Sequence, residues 1–330
     1  MTKFSVLDLV PVREGATLSE AFAAATALAQ KADELGCERF WVAEHHAMEG
    51  IAGGATSVVL AHIGGATSRI RIGSGGIMLP NHTPFQIAEQ FGTLDALFPG
   101  RVDLGLGRAP GAGPELQRAL RKNLAQASEY FPQDVAELRA LLTGDVELPV
   151  TATPGLGANV ELWMLGSSLF GAQLAAKLGM PYAFAAHFAP DHLDAALALY
   201  RRDFQPSAAL EKPYTMVAMN VFAADTDKEA QTLASSQQQS FVALRTGNPG
   251  KLPPPIADYT ATLPAPARAM LDHLGQAAAV GTPQNVRGDI DAFVKRTGAD
   301  EIILCGSTFD PEARLRSMEL TIEACANVAA

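Results

Sequence analysis

Eight short apolar runs with strand character alternate with eight stretches of helical spacing along this chain. The strand-like runs lie at 4–12, 39–43, 70–79, 102–106, 160–165, 182–186, 214–223 and 301–305. The helical stretches cover 18–35, 56–66, 84–97, 133–142, 170–178, 191–204, 283–297 and 311–327. Strand–helix alternation builds a parallel sheet, because each helix returns the chain to the edge where the next strand starts. Eight such units can close the sheet on itself, whereas an open doubly wound sheet rarely needs so many. The pattern therefore predicts a (β/α)8 TIM barrel occupying 1–330 as one domain. The first helix has two candidate starts, Thr17 with Glu20 or Ser19 with Phe22, and a stop at Gly36.

Two segments break the rhythm. Residues 108–130, after the fourth strand, hold Pro110, Gly111, Gly113 and Pro114, followed by a polar, helix-like stretch. Residues 246–266, after the seventh strand, hold Pro249, Gly250, Pro253, Pro254, Pro255, Pro264 and Pro266. Both read as insertions at the C-terminal face of the barrel, where barrel active sites are built. Each can be a passive loop or a lid.

Of the 330 residues, 48% are hydrophobic and 18% charged, which is ordinary globular composition with material for a large core. No apolar run is long enough to span a bilayer, and the N-terminus lacks the pattern of a signal peptide. Cys37, Cys305 and Cys325 are odd in number and widely separated, which fits neither a disulfide framework nor a zinc motif. The expectation is a soluble, cytoplasmic protein without a membrane partner. The net charge of −10, with no basic run longer than Arg201-Arg202, argues against nucleic acid.

The residues with the most chemistry are Glu44-His45-His46, just past the second strand. Strand ends are where barrels place catalytic groups, so Glu44 and His45 are candidate catalytic residues beside the alternative of structural histidines. Adjacent histidines on extended backbone point apart, and no further ligand motif accompanies them, so no metal is expected. Gly75 and Gly76 interrupt an apolar strand. They mark a bulge, an unusual backbone conformation, or the close approach of a flat ligand. Gly105 and Gly107 suggest a dinucleotide fingerprint, but Pro110 stands where its third glycine belongs. Arg108 is better read as reaching an anion with its planar fork. Gly166-Ser167-Ser168 lies between a strand and a helix start, where free N–H groups and the helix dipole attract anions; simple N-capping is the alternative. A phosphate-bearing cofactor held by Arg108 and this turn accounts for both features.

Taken together, Glu44-His45-His46, the 73–80 run Gly-Ser-Gly-Gly-Ile-Met-Leu-Pro, the 98–108 run Phe-Pro-Gly-Arg-Val-Asp-Leu-Gly-Leu-Gly-Arg and Leu165-Gly166-Ser167-Ser168 resemble the bacterial luciferase-like flavin monooxygenases. The likeness extends over most of the chain. It implies FMN at the C-terminal face, with its phosphate on Arg108, Ser167 and Ser168. Gly75 and Gly76 occupy the place of the family's non-prolyl cis peptide, and His45 that of its active-site histidine. The implied reaction is oxygenation of a small organic substrate by FMNH2 and O2 through a flavin C4a-hydroperoxide. No nicotinamide fingerprint is present, so a separate NAD(P)H:flavin reductase is implied as the source of FMNH2. Gly171 departs from the family, where a hydroxyl residue is common, so the phosphate site would lean on backbone N–H groups and Arg108. His187 is a further candidate for the pocket wall. The family also includes F420-dependent oxidoreductases and non-catalytic flavin-binding barrels, which stand as alternatives. Helix 56–66 would join its neighbour in a homodimer interface.

Overall fold

The computed structural model describes residues 2–109 and 114–326. Pro110, Gly111 and Gly113 of the first insertion, and Asn327 at the expected end of the last helix, lie outside the described residues.

The chain runs β1 (Lys3–Asp8), α1 (Leu18–Glu34), β2 (Arg39–Val42), α2 (Thr56–Ala66), β3 (Arg71–Met78), α3 (Pro84–Leu97) and β4 (Val102–Gly107). It continues with α4 (Pro114–Leu120), α5 (Leu124–Glu129), α6 (Phe131–Thr143), β5 (Glu161–Gly166), α7 (Leu169–Leu178), β6 (Tyr182–Phe184) and α8 (Leu193–Asp203). The last part is β7 (Thr215–Ala223), α9 (Asp227–Arg245), α10 (Tyr259–Thr262), α11 (Ala265–Leu274), β8 (Ala278–Gly281), α12 (Pro283–Thr297), β9 (Glu301–Cys305) and α13 (Pro311–Ala326). Of the two candidate starts for α1, Thr17 with Glu20 is the one used. Glu20 N–H donates to the Thr17 hydroxyl, and the Glu20 carboxylate accepts Thr17 N–H at 2.7 Å, a reciprocal capping box. Gly36, at φ +75°, turns the chain out of the helix.

The strands lie side by side in the order β6-β5-β4-β3-β2-β1-β9-β7, all parallel, and β6 pairs with β7 to close the ring. This is the eight-stranded TIM barrel that the alternation predicts. One apolar cluster fills the space between strands and helices. A second, around Leu7, Trp41, Trp163, Ala183, Met216 and Ile303, fills the bore. Side chains alternate across a strand, so each strand feeds both. Trp41 and Trp163 meet edge to face at 5.3 Å between ring centroids.

Charges close the N-terminal end of the bore. Arg39 pairs with Asp103 at 2.9 Å and with Glu301 at 3.2 Å, and stacks over Trp163. Arg71 takes the other oxygen of Asp103, while Tyr214 and Ser5 donate to Glu301. Buried charges are tolerated when paired and hydrogen-bonded in this way, and the paired floor leaves the opposite end of the barrel for chemistry.

Both insertions are present, and the second is larger than the sequence suggested. Between β7 and α12 stand α9, α10, α11 and the short strand β8, which pairs with Asn220–Ala223 at the end of β7. Helix α9 is rich in Gln and Ser, and β8 is only Ala-Ala-Val-Gly; neither stood out in the sequence. The proline-rich segment runs along the C-terminal face. Leu252 N–H donates to the Val12 carbonyl, and Glu14 N–H to the Leu252 carbonyl, both at 2.9 Å. A β-carbon on Gly50 would stand 2.1 Å from the Gly250 carbonyl oxygen, so the loops after β1 and β2 lie directly against this segment. Among the described residues no helix is long and apolar enough to cross a membrane.

Candidate functional site

Beyond Val42 the parallel ladder continues for two residues: Ala43 N–H donates to Asp8 and Glu44 N–H to the Gly76 carbonyl at 3.4 Å. This fixes Glu44 as a buried residue at the C-terminal end of the barrel. Its carboxylate accepts Met78 N–H at 2.9 Å and the Asn81 amide at 3.1 Å. It also meets His46 Nε2 at 2.6 Å and His82 Nε2 at 2.9 Å. An ionised carboxylate can only accept, so each imidazole presents its Nε2–H to it. Burial pushes the Glu44 carboxyl upward, but the hydrogen bonds and attraction from His82, with those from Asn81 and Met78, outweigh it and hold it below the ordinary value.

The Glu44, His46 and His82 ligand atoms lie within 4.8 Å of one another, a set that the sequence did not bring together and that could hold a cation. Their N···O separations of 2.6 and 2.9 Å are hydrogen-bond lengths, and we read the group as a clamp on the end of β3.

His45 stands apart from this clamp. Its Nδ1 is buried without a partner, and so is Nδ1 of His187 beyond the end of β6. Burial lowers the pKa of His45, with Glu44 opposing and His46 adding to the shift. His187 is pushed down to about 4, first by burial and then by the nearness of His45. Two largely neutral imidazoles thus stand near each other, each with an unused ring nitrogen. Buried polar atoms without partners are rare, and they point to a ligand group at this position.

Next around the mouth, Gly75-Gly76 is joined by a cis peptide bond, at the place the resemblance implied. The register of β3 against β4 shifts here, between Ser74 and Ile77. A β-carbon on Gly75 would meet Leu7 at 2.5 Å, and one on Gly76 the Gly105 carbonyl oxygen at 2.6 Å, so neither position has room for a side chain.

The anion-binding features also converge. The Arg108 guanidinium carbon lies 4.0 Å from the centroid of the Phe170 ring, at the start of α7, which brings Arg108 from the end of β4 to the Gly166–Ser168 turn. Arg108 has no ion pair among the described residues. Ser168 is the N-cap of α7, yet its hydroxyl makes no capping hydrogen bond. Simple N-capping therefore does not account for this serine. Gly171, grouped with the cofactor contacts in the sequence, is buried behind the turn, where a β-carbon would stand 3.3 Å from the Leu165 carbonyl oxygen. What the structure gives it is close packing of α7 against β5.

Several residues of the site did not stand out in the sequence. His82 and Asn81 follow a strand at a distance from Glu44 that only the barrel closes. Asn220 and Gln237 link β6, β7 and α9. The one available signal was Thr226 with Glu229, a capping pair that starts α9.

The model of the luciferase-like monooxygenase family matches residues 2–301, and the chain belongs to that family. A luciferase-like monooxygenase of Escherichia coli (strain K12) is 48% identical over 321 residues, covering 97% of this chain and 96% of that one. The crystal structure of apo-MsnO8 superimposes with a TM-score of 0.88 at 36% identity, covering 98% of each chain. The oxygenating constituent of 3,6-diketocamphane monooxygenase from Pseudomonas putida, solved in complex with FMN, has a TM-score of 0.73 at 20% identity. It covers 99% of this chain and 98% of its own; at that identity the likeness is one of fold.

Proposed function

We propose that this protein is an FMNH2-dependent monooxygenase that oxygenates a small organic substrate at the C-terminal mouth of its barrel. The observation that carries the reading is the placement of Arg108, without an ion pair among the described residues, against Phe170, beside a Ser168 hydroxyl free of capping, on an arc that leads through Gly75-Gly76 to His45. These residues fit a flat cofactor with a phosphate tail. Arg108, the hydroxyls of Ser167 and Ser168 and the N–H groups at the start of α7 would hold the phosphate. The backbone of Gly75 and Gly76 would back the ring system. Bound there, reduced FMN supplies the reducing equivalents that activate O2.

The protein's own part is to orient and to manage protons. Glu44 fastens the end of β3 to the end of β2, so that the glycine pair and His45 keep a fixed relation. His45, kept largely neutral by burial, offers Nδ1 to hold or move a proton at the reacting locus. A separate reductase supplying FMNH2 belongs to the same reading, as does a homodimer through α2, whose Val58 is 68% exposed.

Two measurements test it. Adding FMNH2 to the protein in air should give flavin reoxidation slower than the free-solution rate; reoxidation at the solution rate would count against a monooxygenase. Arg108→Ala should weaken FMN far more than riboflavin, and an equal loss for both would remove Arg108 from the phosphate site. Binding of F420 in preference to FMN would favour hydride transfer instead.

A further inference from the structure

Helix α9 lies over the mouth of the barrel and is fixed there by a relay of amides. Gln237 Nε2 donates to Asn220 Oδ1, and Gln237 Oε1 accepts Ser307 N–H, both at 2.7 Å. Asn220 Nδ2 in turn donates to the His187 carbonyl at 2.8 Å. One side chain of α9 is thereby tied to the ends of β6, β7 and β9. Residues four apart on a helix share a face, so Gln237, Phe241 and Arg245 point the same way. At 1.5 Å rise per residue, Arg245 lies about 12 Å along the axis from Gln237.

That face meets Phe188, the residue after His187. Phe241 packs on Phe188 at 6.1 Å between centroids and 78° between planes. The Arg245 guanidinium carbon sits 4.9 Å from the Phe188 centroid and 5.0 Å from that of Phe241. Two aromatic faces hold the guanidinium in place, yet among the described residues no carboxylate and no hydrogen-bond acceptor takes its N–H groups. Arg245 is exposed, so stacking orients its donors toward solvent at a rim where Phe188 is 43% exposed. It also belongs to a different arc of the mouth from Arg108 and Ser168.

We propose that Arg245 receives the anionic end of the substrate, a carboxylate or sulfonate, while its apolar body passes Phe188 and Phe241 toward His187 and His45. The substrate class is then an apolar organic acid, oxygenated away from its charged group. The inference rests on the flavin-site reading for the position of the chemistry, but its recognition step does not require a flavin to be bound. A planar fork suits either oxyanion, and stacking on the rings reduces the freedom lost when the acid binds.

The test uses the full-length protein, with and without FMN, and calorimetric binding of decanoate, decanesulfonate and 1-decanol. The acids should bind about 10-fold or more tightly than the alcohol, as a charge-assisted contact requires. Arg245→Gln should abolish that preference while leaving 1-decanol and FMN affinity unchanged, and Arg245→Lys should retain part of it. Equal binding of acids and alcohol, a preference that survives Arg245→Gln, or no binding of either acid overturns the proposal. Failure to bind FMN with the acid preference intact would instead overturn the flavin reading alone.

Discussion

The carboxylate of Glu44 meets His82 Nε2 with both oxygens, each at 2.9 Å, across 38 residues of sequence. One buried side chain therefore joins the strand end that carries His45 to the strand end that carries Gly75 and Gly76. In Glu44→Gln the amide nitrogen can no longer accept, so at least one of the four donor groups is left unmatched: Met78 N–H when the remaining oxygen faces His46, Asn81 and His82, or His46 and Asn81 in the opposite orientation. The expected cost is about 1–3 kcal/mol by denaturant titration, with weakened flavin binding. A change below half a unit would show that Glu44 does not hold the mouth together.

The buried histidines set a pH dependence. His187 has an ordinary value of 6.5 and is held at about 4 in the folded protein, while His45 is depressed in the same sense. Between these values the unfolded chain binds more protons than the folded one, so this contribution to stability is complete above pH 6.5 and declines as the pH falls toward 4. His187→Gln should flatten the dependence of Tm on pH across that window. An unaltered slope in the variant would show that His187 is not a buried neutral imidazole.

Gly76 has no room for a methyl group, because the added carbon would stand 2.6 Å from the Gly105 carbonyl oxygen. Backbone cannot yield as a flexible side chain can. Gly76→Ala should cost about 1–3 kcal/mol and displace the end of β3, with FMN affinity falling in parallel. Gly65→Ala, inside α2 where a β-carbon meets nothing within 4 Å, serves as the control and should leave FMN affinity unchanged and stability equal or slightly higher.

At the opposite end of the bore, Arg39→Met removes the cation shared by Asp103 and Glu301, both fully buried. Uncompensated buried carboxylates make this a strongly destabilising change, about 3–5 kcal/mol, even though Met has a similar shape. Flavin affinity of the folded fraction should stay near wild type, since the floor lies away from the mouth. Wild-type stability in this variant would show that Arg71, Tyr214 and Ser5 suffice to hold the two acids.

For His45→Ala the expected outcome is intact FMN binding with oxygenation lost, measured by product formation with FMNH2 in air. Oxygenation at the wild-type rate would remove His45 from the chemistry.

The barrel itself was legible in the sequence. Each strand–helix unit is dictated locally, by an apolar run, a cap such as Thr17 with Glu20, and a stop such as Gly36. Counting eight units needs no long-range information. Glu44, His45, Gly75, Gly76, Arg108, Ser167 and Ser168 were likewise visible as residue types at strand ends. What the sequence could not supply was which of them meet. Glu44 meets His82, Arg108 meets Phe170 and His45 approaches His187 only because ring closure brings separate strand ends to one rim. The insertion after β7 was the least legible part, because α9 is a polar helix rich in Gln and Ser and β8 is a strand of only four residues. Its place over the mouth, and with it the position of Arg245, comes from tertiary hydrogen bonds to Asn220 and Ser307. Local physics determined the units, and closure of the barrel decided the site.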